Sequence, residues 1–154
     1  MEKAIFAAGC FWGVDATFRE MDGVKETVSG YTGGNTENPT YEEVCTGTTG
    51  HVEAVEITFD PAEVSYEQLL EVFWSIHDPT TMDQQGPSRG TQYRSSIFYF
   101  NEEQKEAAVR SKEELERSEK YRDPIVTQIV PATTFYRAEE YHQKREGCYI
   151  RPEK

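Results

Sequence analysis

The segment KAIFAAGCFWGVDATFREM, residues 3–21, constrains the fold more than any other stretch. KAIFAAG is a short, continuously apolar run of strand type. From Cys10 onward Phe11, Val14, Phe18 and Met21 recur at helical spacing up to the turn signal Asp22-Gly23. A strand therefore feeds a helix with Gly9 and Cys10 at the joint, and the sheet that receives the strand must have a helix packed on it.

The remaining elements follow from the same signals. GVKETVSGY predicts a second strand, and TGGNTENPT a turn-rich loop. HVEAVEITF, residues 51–59, alternates with period two and closes on Asp60-Pro61, which predicts a third strand. Ser65 and Gln68 form a capping box for a helix carrying Leu69, Leu70, Phe73, Trp74 and Ile76, ending before Pro79. TTMDQQGPSRG is a second long loop, and QYRSSIFYF a fourth strand. Asn101 with Gln104 starts a charged helix running to about Lys120, PIVTQIVP is a fifth strand, and AEEYHQKRE a short helix. Two strands follow each other without a helical crossover, so the sheet is mixed or antiparallel and the class is α+β. No repeat or linker divides the chain.

Composition narrows the function. With 36% hydrophobic residues, nine Tyr, eight Phe and two Trp, 154 residues can build one core. Sixteen basic residues against 28 acidic ones give a formal charge of -12, which opposes binding to nucleic acid or an anionic membrane. No apolar run approaches the ~18 residues of a membrane span, and no signal-type h-region follows the first residues, so the expectation is a cytoplasmic protein. Three irregularly spaced cysteines do not make a disulfide framework.

Cys10 lies between small glycines and the exposed-looking aromatic pair Phe11-Trp12, at a helix start where unpaired N–H groups favour a thiolate. In the third strand His51, Glu53, Val55, Ile57 and Phe59 share one face, which places a carboxyl among bulky apolar side chains. Burial there raises the carboxyl pKa and suits it to proton donation near neutrality; at the mouth of the strand it would instead be solvated. Tyr31, Tyr41 and Tyr93 could each offer a hydroxyl to a pocket, and spacing does not choose among them. His51, His77 and His142 read as capping or surface residues. No metal site is expected, because neither C-x-x-C nor H-x-x-x-H pairing occurs. Phosphate-cradling and G-x-S-x-G motifs are likewise missing.

The ordered motifs GCFWG, GYTGG, NPTYEEVCTGTTGHVEAV, FWSIHDPT, GTQYRS and AEEYHQ run from about Ala4 to the region of Glu146. This set closely resembles the class A peptide-methionine sulfoxide reductases, which reduce the S epimer of methionine sulfoxide in the repair of oxidatively damaged proteins. The resemblance implies a two-layer sandwich with a ferredoxin-like core and a mixed, mainly antiparallel sheet. It implies that residues 1–154 form one catalytic domain with a short tail from about residue 147. It makes Cys10 the nucleophile, gives Phe11 and Trp12 the substrate's S-methyl group, and has Glu53 with Tyr41 and Tyr93 bind and protonate the sulfoxide oxygen.

The same resemblance implies no cofactor, a monomer, and recycling by thioredoxin or a similar dithiol after the Cys10 sulfenic acid condenses with a resolving cysteine. The shortened tail offers only Cys148 for that step; Cys45, in EVC, is the alternative. Ser88 stands where many members have an aspartate. Two other activities use the same features: a thiol peroxidase acting through Cys10, and a non-catalytic module that binds methionine or its sulfoxide.

Overall fold

The computed structural model describes residues 1–85 and 88–143. Its strands and helices follow in the order β1 (Glu2–Ala7), α1 (Phe11–Arg19), β2 (Val24–Thr32), α2 (Tyr41–Cys45), β3 (Val52–Phe59), α3 (Tyr66–Ser75), β4 (Gln84–Gln85), β5 (Ser88–Arg89), β6 (Ser96–Tyr99), α4 (Glu102–Arg117), β7 (Gln128–Pro131) and β8 (Tyr136–Arg137). Six strands form one sheet in the order β7-β6-β1-β3-β2-β8, and β4 with β5 makes a separate two-stranded ribbon.

Within the large sheet β1, β3, β2, β6 and β8 pair antiparallel, and only β7 lies parallel to its neighbour β6. The inner strands β6-β1-β3-β2 with α1 and α3 are the ferredoxin-like β-α-β-β-α-β unit. Each helix carries the chain across one intervening strand, so β1 and β2 flank β3, while β3 and β6 flank β1. The class is α+β.

Alternation along β1 explains why the sheet is buried on both sides at its centre. Ala4, Phe6 and Ala8 face the main core with Phe18, Leu69, Leu70 and Phe73, where the Phe6 ring stacks on Phe18 and Phe73. Ile5 and Ala7 face the opposite side, where Val52, Ala54 and Phe98 make a smaller cluster covered by Val130, Ala132 and Phe135. β3 is divided in the same way: Val55, Ile57 and Phe59 join the main core, Val52 and Ala54 the smaller one.

Capping explains several boundaries. The Ser65–Gln68 box opens α3 with both reciprocal bonds made, and Asn101 accepts from the Gln104 N–H at the start of α4. Helix α4 stops at Arg117, earlier than its charged sequence suggests, because Ser118 caps it and Glu119 turns to φ +56°.

Other departures come from short turns. Thr91–Tyr93 wind into a 3-10 turn, so the fourth predicted strand starts only at Ser96. The fifth is restricted to Gln128–Pro131. AEEYHQ contains only a 3-10 turn over Glu140–His142, because the Gln143 side chain donates to the Ala138 and Ser29 carbonyls and pulls the segment onto β2. The predicted loop before GTQYRS holds the β4–β5 ribbon. Residues 144–154, with the predicted tail and Cys148, lie outside the described residues.

Candidate active site

Cys10 is the N-cap of α1, reached through Gly9 at φ +95°. It is buried, at 8% exposure, and caps the helix by position, without a side-chain bond to the first turn. The next residue uses its backbone to reach across the sheet: the Phe11 N–H donates to Glu53 Oε1 at 3.2 Å. One orphan donor of the helix start is thereby satisfied by a carboxylate from β3.

Glu53 is 2% exposed. Burial pushes its carboxyl up to about 7, against the pull of the Phe11 N–H and of a hydrogen bond from the Tyr93 hydroxyl. A carboxylic acid near half-ionised at neutral pH thus sits one residue's backbone away from a thiol at a helix N-terminus.

The tyrosines separate by neighbourhood. Tyr93 ends the 3-10 turn and is held protonated by burial and by the charges of Glu53, Cys45 and Cys10. Tyr41 opens α2, and its hydroxyl is pushed up by burial and by the neighbouring Cys45 thiol. Tyr31 is fully buried in β2, and its hydroxyl donates to Glu139 at 2.9 Å. Glu139 also accepts the Tyr41 N–H at 2.9 Å, so one carboxylate joins two of the three tyrosines.

The aromatic pair differs from its sequence reading. Phe11 is not exposed: its ring is buried at 1% exposure against Tyr31 and His142. Trp12 is half-buried, and its indole Nε1 donates to His142 Nδ1 at 3.1 Å. His142 is a core residue, neither capping nor surface, and its ring meets Phe11, Trp12, Tyr41 and Tyr141 with centroids 4.2–5.6 Å apart. His51 is also buried, accepting the Gly34 N–H at 3.0 Å, and His77 is bonded at both ring nitrogens.

Cys45 ends α2 and is an exposed residue whose thiol pKa is nonetheless raised, chiefly by desolvation of the sulfur, with Tyr41 and Gln92 pulling it back. Helix α2 itself carries a signal the sequence offered and periodicity missed. Thr40 and Glu43 are a T-x-x-E capping box with both bonds made. Ser88 lies in β5, paired with Gln85. Among the described residues no three His, Cys, Asp or Glu side chains gather as a metal set.

Residues 2–148 match the family model described as peptide methionine sulfoxide reductase. The chain belongs to that family. A relative from Methanothermobacter thermautotrophicus, named peptide methionine sulfoxide reductase MsrA, is 61% identical over 97% of this chain and 92% of its own. One of the same name from Methanosarcina acetivorans is 62% identical over 94% of this chain and 77% of its own. Among solved structures, reduced Mxr1 of Saccharomyces cerevisiae superposes with a TM-score of 0.87 at 34% identity, covering 93% of this chain and 82% of that one. Methionine sulfoxide reductase A of Corynebacterium diphtheriae gives 0.81 at 37% identity, covering 93% and 72%.

Proposed function

We propose that this family member reduces the S epimer of methionine sulfoxide, free or in oxidised proteins, with Cys10 as nucleophile and Glu53 as acid. The observation that carries the assignment is the Phe11–Glu53 hydrogen bond, which ties a near-neutral carboxyl to the helix start bearing the thiol.

The Cys10 thiolate attacks the sulfoxide sulfur while Glu53 gives its proton to the oxygen, Tyr41 and Tyr93 donating to that oxygen. Collapse of the adduct forms the Cys10 sulfur–oxygen bond as both the substrate sulfur–oxygen bond and the bond between the two sulfurs break, which releases methionine and leaves a sulfenic acid on Cys10. Phe11 and Trp12 receive the S-methyl group, with His142 fixing the indole. Cys148 then condenses with the sulfenic acid, expelling water and forming a disulfide. A thioredoxin-type dithiol reduces that disulfide by exchange. Mxr1 has been solved in complex with Trx2, which supports this class of reductant. None of the helices in the described residues is long and apolar enough to cross a membrane, and a cytoplasmic location belongs to the same proposal.

Turnover of each epimer with dithiothreitol tests the assignment. Cys10→Ser is expected to be inactive, and persistent activity would overturn the nucleophile. After a single oxidising turnover, intact mass and peptide mapping should show a Cys10–Cys148 disulfide; a Cys148 that stays a thiol would transfer the resolving role elsewhere.

A further inference from the structure

Gly9, the residue before Cys10, is pressed by a side chain from β4. A Cβ at Gly9 would stand 2.8 Å from Gln85 Cβ and 3.0 Å from its Cγ, closer than such atoms pack, so Gln85 fills the space a larger residue at position 9 would need. Gln85 is 3% exposed and its amide is bonded at both ends. Oε1 accepts the Asp78 N–H at 3.0 Å, while Nε2 donates to the Asp78 carbonyl at 2.7 Å and to Thr81 Oγ1 at 3.0 Å. The side chain is clamped to both backbone polar groups of one residue, Asp78, and leans on the strand-to-helix joint.

The clamped residue is itself anchored towards the other side of the site. His77, immediately before Asp78, places Nδ1 2.7 Å from the Phe73 carbonyl, which makes Nδ1 the donor. Its Nε2 therefore accepts from Ser95 Oγ at 2.7 Å, and Ser95 in turn accepts from Thr127 Oγ1 at 2.7 Å. Ser95 lies two residues beyond Tyr93, whose hydroxyl is close enough to Glu53 to lower its carboxyl pKa, and Glu53 holds the Phe11 N–H. Side-chain contacts and the covalent chain together close a circuit: Cys10, Phe11, Glu53, Tyr93, Ser95, His77, Asp78, Gln85, Gly9 and back to Cys10.

We propose that Gln85 is a positioning residue for Cys10, setting the strand-to-helix joint against the Glu53–Tyr93 side of the site. It touches neither substrate nor the reacting atoms. Its amide fixes the corner at Asp78, its aliphatic stem fixes Gly9, and loss of either lets the thiol drift from the acid. The proposal rests on Cys10 being the nucleophile.

Gln85→Met keeps the length of the side chain and removes the amide. The expected result is a fall in kcat of about tenfold with KM within twofold, since displacement of one reacting group slows chemistry more than binding. In the same protein, iodoacetamide alkylation of Cys10, resolved by peptide mass against pH, should shift its profile, while a free thiol such as N-acetylcysteine in the same reaction serves as an internal standard that does not move. Thr81→Val removes the hydroxyl that accepts from Nε2, together with that hydroxyl's own bonds to the Asp78 and Gln84 carbonyls, and should shift both readouts the same way to a smaller extent, which keeps the test valid if Gln85→Met folds poorly. Unchanged kcat and an unchanged Cys10 profile in both variants, with only a lower Tm, would overturn the proposal. Activity in Cys10→Ser would instead overturn the functional assignment, and the alkylation profiles would still report whether Gln85 acts on the thiol.

Discussion

The Phe11 N–H and Glu53 Oε1 lie 3.2 Å apart across 42 positions of sequence, so the residue after Cys10 and a buried carboxyl on β3 are held as one unit. Removing the proton from that unit while keeping its shape separates chemistry from architecture. Glu53→Gln should lower the rate of sulfoxide reduction by about 10²–10⁴ with little change in substrate binding. Single-turnover release of methionine checks it, and an unchanged rate would remove Glu53 from the chemistry. With the acid's pKa at about 7, the wild-type rate should fall above pH 7, and the Gln variant should lose that limb.

Stability should move the opposite way. Glu53 is raised from 4.5 to about 7 in the folded protein, so both states are protonated below pH 4.5 and burial costs nothing extra there. Between pH 4.5 and 7 the unfolded chain gives up the proton first, and folded-state stability is lost, by roughly 3 kcal/mol at alkaline pH. Urea unfolding should therefore show Glu53→Gln gaining on wild type from pH 4.5 to 7 and holding a constant advantage above it.

His77 has the reverse sign. Burial lowers its pKa from 6.5 to about 4, against the Phe73 carbonyl and Asp78, so below pH 6.5 the unfolded chain takes a proton that the folded one refuses. Its contribution is present above pH 6.5 and is lost as the pH falls to 4. Over pH 4.5–6.5 the two residues oppose each other and flatten the wild-type profile. His77→Gln removes one slope, and its stability should improve relative to wild type on acidification through that window, as measured by urea midpoints.

Gly9→Ala faces two obstacles, the positive φ of +95° and the contact with Gln85. The expected cost is about 1–3 kcal/mol of stability together with a lower kcat, because the displaced backbone carries Cys10. A thermal scan and initial rates check both. A neutral substitution would mean that the joint relaxes freely.

His142→Ala should raise KM for methionine sulfoxide and destabilise the fold by about 2–4 kcal/mol, since it empties a space among four aromatic rings and removes the ring nitrogen that accepts from the Trp12 indole. His142→Asn, whose carbonyl oxygen falls near the Nδ1 position, should recover part of the binding. In a Trp74→Phe background, where Trp12 is the sole tryptophan, fluorescence reports the change directly, and an identical emission spectrum in all three proteins would contradict it.

The sequence by itself determined the elements and the reactive types. Apolar spacing defined the strand-to-helix joint at Cys10 and the face of β3 that carries Glu53, and capping residues marked the starts of α3 and α4. These are local properties, set by the 2.0 and 3.6 periods and by side chains bonding backbone within four residues. The same locality explains the errors. The 3-10 turns at Thr91–Tyr93 and Glu140–His142 replaced regular structure because neighbours distant in sequence fix them.

Only the tertiary structure decided the partnerships. Trp12 meets His142 across 130 positions, and Tyr31 meets Glu139 across 108. Tyr93 comes close enough to Glu53 to lower its carboxyl pKa while Tyr31 bonds Glu139, and Gln85 covers Gly9. Each pairing depends on the strand order β6-β1-β3-β2 and on where the connections cross its ends. No periodicity encodes that order, because it is selected by the burial of the whole sheet rather than by any one strand.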